Sequence, residues 1–402
     1  MTRHHDRYHR IPPAAATAPV ARDTLSPDLS IQIPWTNKQA QQKQTFLRSI
    51  EARCLVDQSS ISWVTSDEEL NTLLSQPYTK PIIWREYARQ YPLYGLPSSI
   101  PEFLEELRRY SIQTVEVNNY ASTTKVNYKE HLDKIAEHFE APPESSPPLN
   151  LLDIRNYFIS ALPVHVHKVD LLHLAQRRQE GSASKSAPQK SRQDYADRQF
   201  HLLSSQGSVS TLHTDTGGVH TYITIISGSK YWYLPRNLTS ETYEILATLG
   251  SSIPETYPHG WVKVKLMPGD LLILPPGCPH AVYTPEHSLA FGGNFYTLPH
   301  LGLSLRVLSI QAKSGDIFSN EDLSEQDYLN LILMLEKCKD LMGPEHMASI
   351  ASSGISWGIQ EHHQTKSQVS QIRWKSQMFW RAQQEIREQL WDIKSSVYKR
   401  FD

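Results

Sequence analysis

The sequence has few cysteines, no long apolar run and no excess of either charge. Its three cysteines lie far apart, at Cys54, Cys278 and Cys338, which excludes a disulfide framework and a zinc finger and favours a reducing compartment. No stretch approaches the ~20 apolar residues that a membrane-spanning helix needs. Lysine and arginine (40) nearly balance aspartate and glutamate (42), so no overall field favours nucleic acid or an acidic membrane as partner. We therefore expect an intracellular, soluble protein.

The composition changes along the 402 residues and predicts four regions. Residues 1–33 are rich in His, Arg, Pro and Ala without periodicity, as is typical of a disordered tail. Residues 34–197 mix helical and strand patterns. Within them, the polar, basic and Ser-rich segment 177–192 predicts a mobile loop. This small basic segment is the one feature that could indicate contact with nucleic acid. Residues 198–309 predict a β-barrel core, and residues 310–402 predict a helical region.

The second region contains recognisable local patterns. "SSIPEFLEELRRY" predicts a helix, with Ser99 and Glu102 spaced as a capping box. "TVEVNNY" (114–120) alternates as a strand does, "YKEHLDKIAEHFE" (128–140) predicts a helix, and "LNLLDI" (149–154) predicts a short strand. A mixed α/β lead-in to the barrel follows from this order.

Between residues 198 and 296 the pattern becomes a series of short β-like runs separated by Gly and Pro turns. The runs are "RQFHLLS", "SVSTLHTD", "HTYITIIS", "KYWYLP", "WVKVKLM", "DLLILP", "HAVYTP" and "SLAFGGNFY". Closely spaced strands of this kind predict a sandwich or barrel of jelly-roll or cupin type. Together with the flanking helices, the fold class is α+β.

The last stretch places apolar residues at a constant interval of seven, at Ile372, Phe379, Ile386 and Ile393. That interval is one face of a helix or a short coiled-coil seam. We expect this helix to pack on its own barrel, with a homodimer interface as the alternative.

The stretch "LHTDTGG" indicates a metal site. Side chains alternate along a strand, so His213 and Asp215 project from the same face. "LLILPPGCPHAVYTP" supplies His280 at the start of a strand, just after a Pro-Gly turn. Two imidazoles and one carboxylate form the facial triad of non-haem Fe(II) oxygenases, which leaves other positions open. Lys230, one hairpin further on, can pair with a cosubstrate carboxylate inside the barrel, and a solvated turn residue is the alternative.

The segments "STLHTDTGGVHTYITIISGSKYWYLP" and "MPGDLLILPPGCPHAVYTPEHSLAFGGNFY" resemble the JmjC family of Fe(II)- and 2-oxoglutarate-dependent oxygenases. The motifs "HTDTGG" and "HAVYTPEHSLAFGGNF" are most similar to those of the lysine-demethylase branch, whose animal members also carry CXXC or PHD zinc fingers. The resemblance implies a double-stranded β-helix. It also implies that His213, Asp215 and His280 ligate iron and that Lys230 binds the far carboxylate of 2-oxoglutarate.

The resemblance implies further roles for three other residues. Ser210 stands where many relatives have a threonine that shares this carboxylate. Tyr222 stands at a position that lines the cosubstrate, and Asn294 near the oxygen and substrate side of the iron. For these three the alternative is packing within the barrel. Gly217 and Gly218 are expected where the backbone turns or where a substrate approaches closely.

The function that the resemblance implies is oxidation of a protein by O2, with 2-oxoglutarate converted to succinate and carbon dioxide. The expected reaction is demethylation of methyl-lysine on a histone tail or another nuclear protein, since the glycines before Asn294 leave room for a methylated ammonium. A nuclear location follows, with a cytoplasmic one as the alternative. Because the cysteine count excludes the branch's zinc fingers, hydroxylation of a side-chain carbon is the second hypothesis. A non-catalytic scaffold is the third.

Overall fold

A computed structural model describes residues 25–28, 31, 38–119, 127–158, 163–180, 198–249, 257, 259–314, 319, 323–343 and 346. Most of the tail predicted at 1–33 and most of the loop predicted at 177–192 lie outside these residues. The helix predicted around Ile372 and Ile393 also lies outside them. The homodimer alternative for that helix therefore stays a prediction.

The helices are α1 (Lys38–Ala52), α2 (Asp67–Leu74), α3 (Tyr87–Gln90), α4 (Ile100–Arg109), α5 (Leu132–Glu140), α6 (Val164–Val169), α7 (Leu171–Glu180), α8 (Ser240–Leu249), α9 (Leu301–Ser314) and α10 (Glu325–Lys337). Among the described residues, no helix combines the length and the apolar character that crossing a bilayer would require.

The strands are β1 (Ser62–Val64), β2 (Ile82–Trp84), β3 (Thr114–Asn119), β4 (Asn127–His131), β5 (Leu149–Arg155), β6 (Gln199–Ser204), β7 (Val209–His213), β8 (His220–Ser227), β9 (Lys230–Pro235), β10 (Trp261–Leu266), β11 (Leu271–Leu274), β12 (His280–Tyr283) and β13 (Ser288–Phe295). The last eight confirm the eight β-like runs of the sequence.

The strands of the described residues form two sheets. The larger has the order β1-β2-β11-β8-β13-β6-β5-β3-β4, and the smaller has the order β10-β9-β12-β7. All neighbours pair antiparallel except β1 and β2. One apolar cluster joins both sheets, for example Ile223 and Leu272 of the larger to Trp232 and Val282 of the smaller. This is a sandwich with helices around it, and the α+β class is confirmed.

Strand β8 is buried on both of its faces. Ile223 and Ile225 belong to the cluster between the two sheets. Tyr222 belongs instead to a cluster on the outer face of the larger sheet, together with Trp84 and Phe295. The alternation of a strand produces this division, and it decides which residues of β8 face the interior of the barrel.

Helices cover the rest of the barrel. Leu172 of α7 packs in one cluster with Leu305 of α9 and Leu331 of α10. Phe103 of α4 and Ile135 of α5 pack on the extension of the larger sheet formed by β3 and β5. The helices thus form two apolar layers, one of α7, α9 and α10 and one of α4 and α5.

Two details of the lead-in differ from the prediction. The helix predicted over 128–140 begins only at Leu132, because Asn127–His131 pair with β3 as a strand, and this pairing prevails over helix propensity. The capping box is only half formed. Ser99 accepts the Glu102 N–H at 3.3 Å, but the Glu102 carboxylate accepts from the Ser98 N–H at 2.7 Å.

The predicted loop at 177–192 also begins later than expected. Helix α7 continues through Glu180, so the first four residues of the predicted loop, 177–180, are helical. The Arg178 guanidinium explains this in part, because it donates to the Lys337 carbonyl at 2.8 Å and pairs with Asp340. These contacts fix the end of α7 against the end of α10.

Candidate metal centre

His213 and Asp215 lie at the end of β7. His213 is the last residue of the strand, and Asp215 keeps an extended backbone (φ −69°, ψ 145°) before the turn Thr216–Gly218. The chain therefore continues to alternate for two residues beyond β7. As the sequence predicts, both side chains project to the same side of the barrel.

His280 is the first residue of β12, and it stands directly opposite His213 in the antiparallel register. The turn before it depends on Gly277, whose φ of +65° favours glycine. Its missing side chain also leaves room for Val307 of α9, since a Cβ there would lie 2.7 Å from a Val307 methyl group. The predicted Pro-Gly turn thus sets the first residue of the strand.

The three side chains form one cluster. One candidate ligand atom from each of His213, Asp215 and His280 lies within 4.8 Å of the others, and no other such group of three is found among the described residues. His280 Nε2 is 3.8 Å from Asp215 Oδ1, and the two imidazole centroids are 4.2 Å apart. Two nitrogens and one oxygen can hold a divalent metal and leave coordination positions open.

Hydrogen bonds determine which nitrogen each imidazole offers. His213 Nδ1 lies 2.7 Å from the Thr211 carbonyl, and His280 Nδ1 lies 3.0 Å from the Cys278 carbonyl. A carbonyl only accepts, so each Nδ1 carries the proton and each Nε2 keeps its lone pair. Both rings are thus in the tautomer that a metal requires at Nε2.

The surroundings keep His213 neutral. Burial, followed by the neighbouring His280, lowers the pKa of His213 to about 4, although Asp215 acts in the opposite direction. The imidazole therefore has a free lone pair at pH 7. The His280 ring is also held in place, since it stacks on Trp232 at a centroid distance of 5.2 Å.

Lys230 lies at the other end of the same pocket, which His213, Asp215 and His280 also line. It is the first residue of β9 and is 3% exposed. Its Nζ donates to Ser204 Oγ at 2.6 Å and to Thr284 Oγ1 at 3.2 Å. Burial lowers the pKa of the Lys230 ammonium to about 7. No ion pair to Lys230 is found among the described residues, so the buried cation has only neutral partners there.

Ser210 lines this pocket too, and a buried amide connects it to Lys230. Asn150 of β5 donates from Nδ2 to Ser210 Oγ at 3.1 Å. Its Oδ1 accepts from Ser204 Oγ at 2.6 Å. Asn150, Ser204 and Thr284 are not predicted from the sequence, because their place depends on the pairing of distant strands.

Asn294 lines the pocket beside the metal cluster. It stands opposite Thr221 in the register of β13 with β8, and Thr221 Oγ1 lies 3.1 Å from Asn294 Oδ1. The Thr221 hydroxyl also donates to Asp215 Oδ2. Thr221, like Asn150, Ser204 and Thr284, is not predicted from the sequence. No pattern local to β8 distinguishes it, because both faces of the strand are buried.

Tyr222 does not line the pocket, so the role that the resemblance implies for it is wrong. It is 1% exposed and packs on the outer face of the larger sheet, near Phe291 and Phe295. Alternation along β8 directs Thr221 and Ile223 to the pocket and Tyr222 away from it. Tyr222 is thus a packing residue, as in the stated alternative, but on the outer face of the larger sheet.

The glycines before Asn294 serve packing rather than access. A Cβ on Gly293 would lie 2.6 Å from the Tyr222 hydroxyl, and one on Gly292 would lie 2.5 Å from an Ile223 methyl group. Both spaces are therefore already filled by neighbouring side chains. The prediction that these two glycines leave room for a methylated ammonium is therefore wrong.

The turn after Asp215 is held from behind by α9. Gly217 and Gly218 have φ of +77° and +66°, and a Cβ on Gly218 would lie 2.2 Å from the Ser304 carbonyl oxygen. Gln311 Oε1 accepts the Gly217 N–H at 2.9 Å, and its Nε2 donates to Thr216 Oγ1 at 2.7 Å. Of the two explanations offered for these glycines, the turning backbone is confirmed.

Comparison with known proteins gives the same picture of the barrel. The JmjC domain family matches residues 186–300, which include the seven site residues predicted from the sequence. This match confirms the expected cupin-type fold. Helices α9 and α10 lie beyond the match, although α9 contacts the turn after Asp215.

The chain is similar to several curated proteins within the same region. A Debaryomyces hansenii protein named "JmjC domain-containing histone demethylation protein 1" is 37% identical over 128 residues, which are 28% of this chain and 25% of that protein. A Candida albicans protein of the same name is 31% identical over 29% of this chain and 27% of its own length.

An animal protein is similar to a comparable degree. The Xenopus tropicalis "Lysine-specific demethylase 2A" is 31% identical over 29% of this chain and 11% of its own length. The chain thus spans about a quarter of the two fungal relatives and less of the animal one. Residues 186–300 are a JmjC domain, and this domain matches the lysine-demethylase branch of the family.

Proposed function

We propose that the chain is an Fe(II)- and 2-oxoglutarate-dependent dioxygenase that demethylates methyl-lysine on a histone or another nuclear protein. The observation that carries the proposal is a single pocket with a His-Asp-His cluster at one end and a buried lysine at the other. The names of the matching relatives, which are called histone demethylation protein or lysine-specific demethylase, support the choice of substrate.

The donor set fits iron. His213 and His280 offer Nε2 because their Nδ1 atoms are bound to carbonyls, and Asp215 offers Oδ1. Two imidazoles and one carboxylate suit a divalent iron that must also bind other groups, whereas a structural zinc site is closed and often rich in thiolates. Cys278, the cysteine nearest in sequence, is buried, and burial raises the pKa of its thiol, which leaves it protonated.

The Lys230 end fits the far carboxylate of 2-oxoglutarate. A buried ammonium with only hydroxyl partners is costly to keep charged, and a carboxylate beside it would offset that cost. Ser204, Thr284 and, through Asn150, Ser210 provide further hydrogen-bond groups at that end. Apolar side chains, among them Leu202 and Val282, line the pocket between its two ends.

A bound Fe(II) would supply the redox chemistry that couples oxidative decarboxylation of 2-oxoglutarate to oxidation of a substrate carbon. One oxygen atom of O2 goes to succinate and the other to the substrate. When that carbon is an N-methyl group, the hydroxymethyl amine loses formaldehyde and returns the amine. The protein orients both substrates and excludes water, and Asn294 and Thr221 are polar groups on the pocket wall beside the cluster.

The proposal assigns partners and a location as well. The protein partner is a histone tail or another nuclear protein, O2 is the second substrate, and the location is the nucleus. Hydroxylation of a side-chain carbon and a non-catalytic scaffold become outcomes of the test.

The test measures formaldehyde and succinate together on methylated peptides and nucleosomes, with His280→Ala as the blank. Demethylation predicts equal amounts of the two products on a methylated substrate. Succinate without formaldehyde, together with a peptide one oxygen heavier, would assign the chain to the hydroxylases. Neither product, with metal bound, would leave only the scaffold.

A further inference from the structure

The Thr221 hydroxyl lies between a candidate metal ligand and an amide. Thr221 is 3% exposed on β8, its Oγ1 donates to Asp215 Oδ2, and the same atom is 3.1 Å from Asn294 Oδ1. A hydroxyl carries one proton. It can therefore donate to only one of these two oxygens.

The carboxylate is the stronger acceptor. A hydrogen bond to an ionised oxygen is about twice as strong as one between neutral groups, so the proton lies on the side of Asp215. The Asn294 amide then satisfies Thr221 best with Nδ2 as donor, which half a turn about its last side-chain bond achieves without a change of shape. The order of donors is then Asn294 to Thr221 to Asp215.

This order separates the two oxygens of Asp215. Oδ2 is held by Thr221, and Oδ1 is the oxygen that lies 3.8 Å from His280 Nε2. A carboxylate with one oxygen held cannot rotate freely, nor turn both oxygens to an ion. Groups that orient a ligand in this way typically account for 10- to 100-fold in metal affinity.

We propose that Thr221 is a positioning residue, which holds Asp215 so that Oδ1 alone faces the metal. The inference rests on the proposed function only in requiring that His213, Asp215 and His280 bind a divalent ion. It concerns the arrangement of the ligand and is independent of which substrate the chain oxidises.

Strand β8 also provides a matched control. Thr224 is buried on the same strand, is 2% exposed, and its Oγ1 has no hydrogen-bond partner. Valine has the shape of threonine and suits a strand. Thr221→Val therefore removes the hydroxyl from Asp215, whereas Thr224→Val removes a buried hydroxyl that has no contact with it.

In the experiment, the metal-free full chain is titrated with Co(II), and the visible spectrum of the bound ion is recorded. The melting temperature of the apoprotein is measured separately. Thr221→Val should lower Co(II) affinity about 10- to 100-fold and change the ligand-field bands, with an unchanged apoprotein melting temperature. Thr221→Ser should restore affinity and spectrum, because it keeps the hydroxyl. Thr224→Val should bind as the wild type does.

Wild-type affinity and spectrum in Thr221→Val would overturn the inference, as would an equal loss in Thr221→Val and Thr224→Val. Thr221→Ala gives a second deletion of the hydroxyl if the valine variant does not fold. A wild type that binds Co(II) but forms neither formaldehyde nor a hydroxylated peptide would refute the proposed function alone. A wild type that binds no Co(II) would refute both.

Discussion

Two pairs of histidines in this barrel look alike until their ring nitrogens are compared. The ring centroids of His213 and His280 are 4.2 Å apart, and those of His220 and His300 are 4.6 Å apart. Burial lowers the pKa to about 4 for one member of each pair, His213 and His300. Neither distance nor pKa therefore separates a ligand from a structural residue here.

The hydrogen bonds of the second pair are complete. His220 Nδ1 lies 2.9 Å from the Tyr78 hydroxyl, and its Nε2 lies 3.2 Å from Thr297 Oγ1. His300 Nδ1 lies 3.1 Å from Thr297 Oγ1, and its Nε2 lies 2.9 Å from the Tyr78 backbone. All four ring nitrogens thus have protein partners, and this pair joins the segment before β2 to the end of β13.

The first pair uses only half of its hydrogen-bonding capacity in this way. His213 and His280 each place Nδ1 on a backbone carbonyl two residues earlier in the chain. Both residues line the pocket, and His280 Nε2 points to Asp215. This difference supports His213 and His280, rather than His220 and His300, as the candidate ligands, because a ligand histidine has one nitrogen fixed by the protein and one directed to the pocket.

The largest effect should come from removing one histidine of each pair. His213→Ala should abolish stoichiometric metal binding and leave the fold intact, because two ligands hold a labile ion poorly. His220→Ala should keep the metal in its folded fraction but lower the free energy of unfolding by about 2–4 kcal/mol, since it leaves a cavity and unpaired buried groups. Metal analysis after gel filtration and urea unfolding measure the two quantities.

The reverse pattern would contradict the comparison. If His220→Ala lost metal at unchanged stability, both pairs would belong to one site.

The lysine end of the pocket extends the comparison to the cosubstrate. Lys230→Ala should weaken 2-oxoglutarate binding about 30-fold or more, which corresponds to a charge-assisted hydrogen bond of about 2 kcal/mol. Lys230→Arg should rescue only partly, since the guanidinium is larger and planar. Calorimetric titration with 2-oxoglutarate in the presence of Mn(II) measures both. The exposed Lys129→Ala is the control, and equal affinities in all variants would place the carboxylate elsewhere.

The pKa of Lys230 gives this pocket a pH dependence. Because burial lowers that pKa to about 7, the free pocket loses its cation as the pH rises above that value. Affinity for 2-oxoglutarate should then fall by up to about tenfold per pH unit between about pH 7 and pH 9. Lys230→Arg stays charged and should lack this slope, so an equal slope in both proteins would assign the titration to another group.

The same pKa predicts the direction of a stability change. The ordinary pKa of 10.5 for a lysine lies above the pKa of about 7 in the folded protein. Between these two pH values the unfolded chain therefore binds a proton at Lys230 that the folded protein has lost. Stability of the cosubstrate-free protein should therefore rise with pH from about 7 to about 10. Urea unfolding of wild type and Lys230→Ala across this window isolates the contribution, which the alanine variant should lack.

The smallest effect concerns the support of the turn after Asp215. Gln311→Leu removes the side chain that bonds Gly217 and Thr216, and it should lower the free energy of unfolding by about 1–3 kcal/mol. Metal affinity should fall less than in Thr221→Val, because the glutamine holds backbone and not the ligand itself. Gln326→Leu, on the exposed face of α10, is the control. Equal behaviour of the two variants would show that α9 does not contribute to the site.

The sequence predicts the barrel strands and the shared face of His213 and Asp215 well, because both depend on local patterns. A period of two with Gly and Pro turns marks each strand, and the His-x-Asp spacing places two ligands on one face. The sequence predicts His280 as the third ligand from its place after a Pro-Gly turn, but not that it stands opposite His213, since the register of β7 with β12 is a contact between distant segments. Lys230 lies inside the barrel, as the sequence predicts.

The remaining errors have a common physical origin. In "HTYITIIS" both faces of β8 are buried, so polarity does not show which side meets the pocket and does not distinguish Tyr222 from Thr221. The partners Asn150 and Gln311 come from a strand and a helix far away in the chain. Such contacts are set by sheet order and helix packing, which no local pattern contains.

Anaerobic loading with Fe(II), followed by measurement of metal per chain, tests the assignment of the two histidine pairs most directly. We predict about one ion per chain for the wild type and for folded His220→Ala, and none for Asp215→Ala. Equal iron content in the wild type and Asp215→Ala would contradict the placement of the metal centre at His213, Asp215 and His280.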